Sequence, residues 1–246
     1  MWLPRWLGEV YAKLYAELNT DLFTFEKARS LLEAKRAWLN VAFSKLHEFR
    51  ALYIYSRTRP RLYGLLKPET FVLMASGMFK NLDKVRQERY LQLICDVTTS
   101  LVKRHKAESV CLYGSVARGK ARLDSDLDFL VVSDAFKGSL SSRIEELCQV
   151  DEEVAGELRR LRKLGVYTSL SFYPLRKEEV LRFPPILLDL TVEGIIVHDR
   201  ELFLEKALAM LRDKLVKLGA KRISIDEETW YWDLKPDYVF GEAIEL

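Results

Sequence analysis

A polar loop between two short apolar runs constrains this chain more than any other feature. The runs are Val110–Tyr113 and Leu127–Val132, and both have the length and apolar character of buried strands. Small and acidic residues mark the two ends of the loop: Gly114, Ser115, Asp126 and Asp128. Because residues two apart on a strand point to the same face, the two carboxylates converge on one point. The sequence therefore predicts two neighbouring strands with a polar site at their shared end.

The acidic pair indicates a metal site. Two carboxylates held this close repel each other unless a cation lies between them. Mg²⁺, or Mn²⁺ in its place, is the natural occupant because it prefers oxygen ligands. We therefore predict that Asp126 and Asp128 ligate the metal and serve as the catalytic residues.

The glycine-serine pair indicates a phosphate site. Gly114 and Ser115 offer unobstructed backbone N–H groups and a hydroxyl, and Arg118 and Lys120 offer positive charge. We predict these four residues as nucleotide ligands. Gly114 to Lys120 also fits the opening of a P-loop. That alternative is disfavoured because Ala121 stands where a P-loop needs a hydroxyl, and because we expect a polar turn rather than a helix after the first run.

The whole pattern resembles the nucleotidyltransferase superfamily typified by DNA polymerase β, and particularly its minimal nucleotidyltransferases. The likeness covers about Leu82 to Arg200. It implies an α+β fold with a mixed sheet and flanking helices, in which Gly114 and Ser115 grip phosphates and Asp126 and Asp128 hold metal. It also implies transfer of a nucleoside monophosphate, AMP from ATP above all, to a hydroxyl of a protein, an RNA or a small molecule.

One feature departs from the superfamily pattern. Members that catalyse usually carry a third carboxylate on the next strand. Here that strand is predicted at Val166–Tyr173, and Ser169 and Ser171 occupy the face on which the carboxylate would lie. Transfer should then be slow, or depend on an acceptor that completes the site. Asp189 is the competing candidate, because a further strand is predicted within Leu187–Val197 and could bring it to the site.

The first 66 residues carry a different charge pattern, with 11 Lys or Arg against 6 Asp or Glu. We predict one helix up to Leu18, a second after a Thr24 N-cap, and a third from about Arg36 to Phe49. A hairpin follows, formed by Leu52–Tyr55 and Leu62–Leu66.

This order of elements resembles a winged helix-turn-helix, and the basic third helix and hairpin tip suit a polyanion. The resemblance implies binding of duplex DNA. The residues predicted to contact DNA lie on the solvent face of the third helix and at the hairpin tip: Arg36, Asn40, Ser44, Arg57, Arg59 and Arg61.

The alternative function is therefore a DNA-binding regulator whose nucleotidyltransferase domain is inactive or only senses nucleotide. We predict three parts: a winged-helix unit with its linker at 1–80, a nucleotidyltransferase domain at 81–200, and a C-terminal helix with an acidic tail at 201–246. Further helices are expected at Leu82–His105, Glu145–Leu164 and Leu202–Leu218. Within the tail, the Trp230–Trp232 cluster is expected to pack rather than to stack on bases.

Cysteine usage and hydropathy indicate the cellular compartment in which the protein is expected. Cys95, Cys111 and Cys148 form neither a CxxC motif nor an even set, so neither a disulfide frame nor a zinc ribbon fits. No apolar run approaches the roughly 20 residues that a bilayer requires. We therefore expect a cytoplasmic protein with no membrane partner.

Overall fold

The computed structural model describes residues 3–226 and 229–238 of the chain. The N-terminal part has the predicted order of three helices and a hairpin. Its elements are α1 (Arg5–Leu18), α2 (Phe25–Leu31), α3 (Arg36–Glu48), β1 (Leu52–Ser56), β2 (Leu62–Leu65) and α4 (Pro68–Ala75). The Thr24 hydroxyl accepts a hydrogen bond from the Lys27 N–H, as predicted for an N-cap.

The N-terminal helices and the hairpin share an apolar core. Leu7, Leu14, Leu39 and Leu46 are fully buried in it, and they recur on α1 and α3 at the spacing of one helical face. Strands β1 and β2 pair antiparallel and cover one side of this core. The assignment of this unit as a winged helix-turn-helix remains a prediction.

The central part alternates helices with the strands of a four-stranded sheet. Its elements are α5 (Leu91–Arg104), β3 (Ser109–Tyr113), α6 (Gly114–Arg118), β4 (Leu127–Val132), α7 (Leu140–Leu147), α8 (Gln149–Glu153), α9 (Ala155–Lys163), β5 (Leu170–Leu175), α10 (Lys177–Val180), α11 (Ile186–Glu193) and β6 (Ile195–Asp199). The strand order is β5-β4-β3-β6. Only β4 and β5 run parallel, so the sheet is mixed, as predicted.

Apolar clusters cover both faces of this sheet. Val110, Leu112, Phe129 and Val131 point to the side packed by α5 and α9. The alternate residues of the same strands point to the other side, where α11 and α12 (Phe203–Leu218) pack. Gly219, at φ +69°, ends α12 where the sequence predicts the stop.

Two predicted helices are shorter than expected. The segment predicted as one helix from Leu82 enters α5 only at Leu91, and two single 3₁₀ turns precede it. The segment predicted as one helix from Glu145 consists of the end of α7 followed by α8 and α9. Leu147, Val150 and Val154 of this segment are buried in the same apolar cluster as α5.

Two predicted strands also differ from the structure. The strand predicted from Val166 begins at Leu170, because the N–H groups of Val166 and Tyr167 bond to Leu161 and Leu123 outside the sheet. Most of the strand predicted within Leu187–Val197 is helix α11, and only its end belongs to β6. Seven of the eleven residues of Leu187–Val197 are apolar, and their spacing does not distinguish the helical period from the strand period.

The C-terminal segment forms a hairpin of β7 (Lys221–Ser224) and β8 (Trp230–Asp233). The indole N–H groups of Trp230 and Trp232 both donate to Asp189 Oδ1, at 2.7 and 2.9 Å. The tryptophans therefore pack the tail, as predicted. The hypothesis that Asp189 supplies the third carboxylate from a strand is wrong, because it lies on α11 and holds these indoles. Four acidic residues of the predicted tail lie outside the described residues: Glu227, Glu228, Glu242 and Glu245.

A buried carboxylate joins the N-terminal part to the central part. Glu88, only 6% exposed, accepts hydrogen bonds from the backbone N–H of Ile54 at 2.7 Å and from His47 Nε2 at 2.9 Å. The guanidinium groups of Arg50 and Arg57 lie 3.6 and 3.8 Å from it. Burial alone would raise the pKa of Glu88, but these partners outweigh it and hold the pKa below its usual value.

A second buried ion pair lies between α7 and α10. Arg143, 4% exposed, donates two parallel hydrogen bonds to Glu179, at 2.6 and 3.0 Å. These bonds lower the pKa of Glu179 to about 2. The pair therefore makes its full contribution to the free energy of unfolding above the ordinary carboxyl pKa of 4.5. This contribution is lost as the pH falls toward 2.

We expect Glu179→Gln to lower the free energy of unfolding at pH 7 by about 2–3 kcal/mol, because the buried Arg143 guanidinium loses its carboxylate partner and keeps only the Gly138 carbonyl. The deficit relative to the wild type should shrink as the pH falls below about 4.5. Urea unfolding at pH 7 and pH 3 measures the deficit and its change with pH. Glu178→Gln, an exposed neighbour, is the matched control and should cost little at either pH. A deficit that grows on acidification would contradict this account.

No helix within the described residues has the length and apolarity needed to span a bilayer. The three cysteines are all free thiols, and Cys95 and Cys111 are buried.

Candidate active site

Asp128 and Gly114 meet where β3 and β4 end side by side. Asp128 on β4 stands opposite Tyr113, the last residue of β3, and Gly114 follows at once. Gly114 has φ +70°, and a Cβ added to it would overlap Oδ2 of Asp128 and lie 3.1 Å from its Cγ. The carboxylate therefore lies directly over the glycine backbone. Only glycine fits this position, for reasons of both backbone conformation and space.

Asp126 and Asp128 are both held from β5. Asp126 directly precedes β4, and the Ser169 hydroxyl donates a short hydrogen bond to its Oδ1. Asp128 pairs with Ser171 in the parallel register, and the Ser171 side chain hydrogen-bonds to it. Both serines thus face the acidic pair, in the place where the superfamily pattern has its third carboxylate.

The two carboxylates differ in environment. Asp126 is exposed, whereas Asp128 is half-buried. Burial raises the pKa of Asp128, and the nearby charge of Asp126 raises it further. The Ser171 hydrogen bond and the Arg118 charge act in the opposite direction without cancelling these effects. An ionised Asp128 is therefore under electrostatic stress that a bound cation would relieve.

The loop after β3 differs from the predicted polar turn. Residues Gly114–Arg118 form the single-turn helix α6, which ends at Gly119 with φ +74°. The Lys120 N–H closes the turn on the Ser115 carbonyl at 2.9 Å. Ser115 therefore lies in the first turn of α6, next to the acidic pair, while Arg118 and Lys120 lie at its far end.

Arg118 has partners that its sequence context does not reveal. Its guanidinium donates to Glu193 Oε1 at 2.7 Å and lies 5.1 Å from the ring centre of Trp230. Arg222 contacts the same ring at 3.9 Å and also bonds to Glu193. The predicted phosphate ligand is thus held by α11 and the C-terminal hairpin. No signal in the sequence links Glu193 or Arg222 to the motif, since they lie about 75 and 104 positions further along the chain.

The oxygen atoms of Asp126 and Asp128 are suitable ligands for a hard divalent cation, and nucleotide phosphates would complete its shell. Among residues 3–226 and 229–238, no three His, Cys, Asp or Glu side chains cluster closely enough to hold a metal ion by themselves. The pair therefore fits a cation that is shared with a bound substrate rather than one that is fully caged by protein.

The residues predicted to contact DNA lie elsewhere, on the N-terminal part. Those on α3 are exposed, and Arg36 lies 3.3 Å from Glu26. All three arginines of the hairpin tip are exposed as well, and Arg57 reaches toward Glu88. The structure places these residues on one unit: Arg36, Asn40, Ser44, Arg57, Arg59 and Arg61.

Comparison with known proteins bears on the central part. The family model described as "Nucleotidyltransferase domain" matches residues 94–184, which include both motif strands, α6 and β5. Residues 94–184 form a nucleotidyltransferase domain. The resemblance indicated by the Gly-Ser and Asp-x-Asp spacing is thereby confirmed for these residues, which carry the nucleotidyltransferase fold.

Two solved structures are similar to about half of the chain. A solved structure titled as a toxin-antitoxin with AMP-PNP is 17% identical, with a TM-score of 0.32, and the match covers 50% of this chain and 91% of that one. A structure of a mutant of the MntA-HpeT toxin-antitoxin is 15% identical, with a TM-score of 0.33 and coverages of 52% and 91%. No curated protein matches the chain.

Proposed function

We propose that the chain transfers a nucleoside monophosphate, AMP from ATP, to an acceptor hydroxyl and releases pyrophosphate. The observation that carries this proposal is the nucleotidyltransferase domain at 94–184 with Asp128 lying over the Gly114 backbone. In support, the turn proposed to grip phosphates lies beside the carboxylate pair. Such chemistry requires mainly positioning and charge neutralisation.

The residues of α6 and the acidic pair have separate roles in the proposed reaction. The N–H groups at the start of α6 and the Ser115 hydroxyl would bind the triphosphate, while Asp126 and Asp128 would hold Mg²⁺. The cation, when bound, would neutralise charge on the phosphates. The acceptor oxygen forms a bond to the α-phosphorus as the bond to the bridging oxygen breaks. Pyrophosphate leaves with that electron pair, and the acceptor proton passes to solvent beside the exposed Asp126.

Incubation of the full chain with α-³²P-labelled ATP and Mg²⁺ tests the proposal. We expect labelled nucleotide to become attached to an added or copurifying acceptor, and unlabelled pyrophosphate to be released. GTP, CTP and UTP in parallel reactions measure the base preference. If pyrophosphate is released with none of them, the chain is not a transferase, and the regulator hypothesis becomes the better one.

We expect Ser171→Asp to speed transfer about tenfold or more, since it adds a carboxylate directly opposite Asp128. The measurement is the single-turnover rate at saturating Mg²⁺. Ser171→Asn is the matched control, because it has the shape of aspartate without the charge, and it should give no gain. A wild-type rate that Ser171→Asp fails to raise would show that the site needs no third carboxylate.

We also propose that the N-terminal part binds duplex DNA. The specific observation is that Arg59 and Arg61 form no ion pair with any residue in the described part of the chain, and that Arg57 is 73% exposed. Side chains of this kind are suited to phosphates. The same unit carries the exposed polar face of α3.

We expect DNA affinity to fall steeply with salt, by about 0.9 log units per log unit of salt for each phosphate contact. Replacing Arg57, Arg59 and Arg61 together by Ala should flatten that slope by up to about three such contacts. Fluorescence anisotropy of a labelled duplex at several salt concentrations measures it.

The control replaces Lys103, Lys106 and Lys163 by Ala, three exposed cations outside the N-terminal part. Because this change removes the same total charge, an equal loss of slope would mean that the tip has no special role.

A further inference from the structure

A groove runs along the end of the sheet that carries the acidic pair. Two adjoining cavities of about 630 and 520 Å³ share Lys84, Gly194 and Arg212 in their walls. We call this pair of cavities the edge groove. Each has the volume of a small-molecule site, and together they can hold two linked units of a chain.

The sheet register places the edge groove beside the acidic pair. Gly194 directly precedes β6, whose first residue Ile195 pairs with Leu112 on β3. Asp128 lies at the same end of β4, which is the next strand on the other side of β3. Strands are about 4.8 Å apart, so the groove begins roughly 10 Å from Asp128 along one edge.

Arg86 links the groove to the motif loop. Its side chain lies over Gly119, where an added Cβ would come to 2.9 Å from Arg86 Cδ. Arg118, at the end of α6, also lines the groove. A chain lying in the groove would therefore pass along α6 toward Gly114 and the carboxylates.

The charges in the groove favour an anionic chain. Three of its basic side chains, Lys80, Lys84 and Arg86, form no ion pair with a residue in the ranges 3–226 and 229–238. Three carboxylates also line it: Asp83, Glu193 and Glu205. Glu193 is neutralised by Arg118 and Arg222. The remaining lining then has four basic side chains, Lys80, Lys84, Arg86 and Arg212, against the two carboxylates of Asp83 and Glu205.

The lining also discriminates between kinds of anion. Within residues 3–226 and 229–238 the lining contains no aromatic side chain on which a base could stack, so contacts from these residues would go to phosphate and sugar and would tolerate any sequence. Phosphodiesters carry one charge per unit along a chain, which suits separate cations spread over two cavities.

We propose that the edge groove binds the sugar-phosphate backbone of a single-stranded nucleic acid and delivers its terminal hydroxyl to Asp126 and Asp128. The second half of this statement rests on the proposed transfer activity. In the step, the 3′ oxygen of the strand bonds to the α-phosphorus of the nucleotide, pyrophosphate leaves with the electron pair of the broken bond, and the hydroxyl proton goes to solvent.

Binding is tested first, without nucleotide, so that the result does not depend on transfer. The probe is a 5′-fluorescein-labelled 12-nucleotide RNA, and the background is the full chain with Arg57, Arg59 and Arg61 replaced by Ala. We expect Lys84→Glu together with Arg86→Glu to weaken binding about tenfold or more and to reduce the salt slope. The control pair, Lys103→Glu with Lys106→Glu, changes the charge equally at the opposite end of the sheet and should have less than about a twofold effect.

Two binding results would overturn the proposal. One is equal loss of affinity in the groove and control pairs. The other is equal competition by polyglutamate of matched charge, which would assign the groove to acidic protein instead. Transfer is then compared on RNA ending in a 3′-hydroxyl and in a 3′-phosphate: label on the former alone supports delivery of the terminus. Label on neither RNA, with an added protein labelled instead, would refute that part of the proposal while leaving the transfer activity established.

Discussion

Gly114→Ala is expected to abolish nucleotide binding while the chain still folds. The added methyl group would occupy the position of Asp128 Oδ2, and the backbone at φ +70° already disfavours any side chain. The conformational penalty alone is about 1–2 kcal/mol, and the Asp128 carboxylate must swing away from α6 in addition. The measurement is the rise in thermal midpoint produced by Mg-ATP, which we expect in the wild type and not in the variant.

Gly156→Ala is the matched control for this change. Gly156 lies in α9, has no atom within 4 Å of an added Cβ and does not have a positive φ. Alanine there should stabilise the helix by about 0.5–1 kcal/mol and leave the response to Mg-ATP intact. If Gly114→Ala binds Mg-ATP as the wild type does, the phosphate site is not at α6.

Replacing Asp126 and Asp128 by Asn is expected to abolish both transfer and metal-dependent nucleotide binding. Asparagine keeps the shape and the hydrogen bonds to Ser169 and Ser171 but removes the charge that would hold Mg²⁺. Transfer should fall by at least about 10³-fold, since the loss affects charge stabilisation in the transition state. Single-turnover rates and calorimetric titration with Mg-ATP measure the two effects.

The direction of the change in unfolding free energy distinguishes loss of the metal-binding charge from a general loss of fold. Because the pKa of Asp128 is raised in the folded state, its ionised form costs stability at neutral pH, and this cost disappears below the ordinary carboxyl pKa. Asp128→Asn should therefore melt no lower than the wild type at pH 7 without divalent cations. An equal rise in midpoint with Mg-ATP in the double variant would refute the metal assignment.

Local spacing allowed the motif strands, the acidic pair and the serines opposite it to be predicted. The strands are short apolar runs, and the two pairs depend on period-two alternation over a few residues. The helix α6 was missed since its five residues are too few to show a period. A strand is predicted around Asp189 because five of the eight residues of Ile186–Glu193 are apolar and the segment is too short to show a clear helical period. Only tertiary contacts show that its carboxylate holds two tryptophans some 40 positions away.

The surroundings of Arg118 could not have been predicted for a similar reason. The motif marks it as a cation near phosphates, but Glu193 and Trp230 come to it through chain topology alone. Arg86 likewise precedes the motif by a long helix and still lies over Gly119. Residues of this kind have no spacing relation to the motif, so periodicity carries no information about them.

The buried carboxylate of Glu88 connects the N-terminal unit to the nucleotidyltransferase domain. It ties α3, through His47, and β1, through Ile54, to the turn that leads into α5. A cut between residues 80 and 81, where the sequence suggests a border, would strip this carboxylate of its partners and expose the face of Tyr53, which is buried in the central core. Separating the two parts at this border should therefore destabilise both of them, so the DNA affinity proposed for the hairpin tip and the transfer activity proposed for the acidic pair are best measured on the full chain.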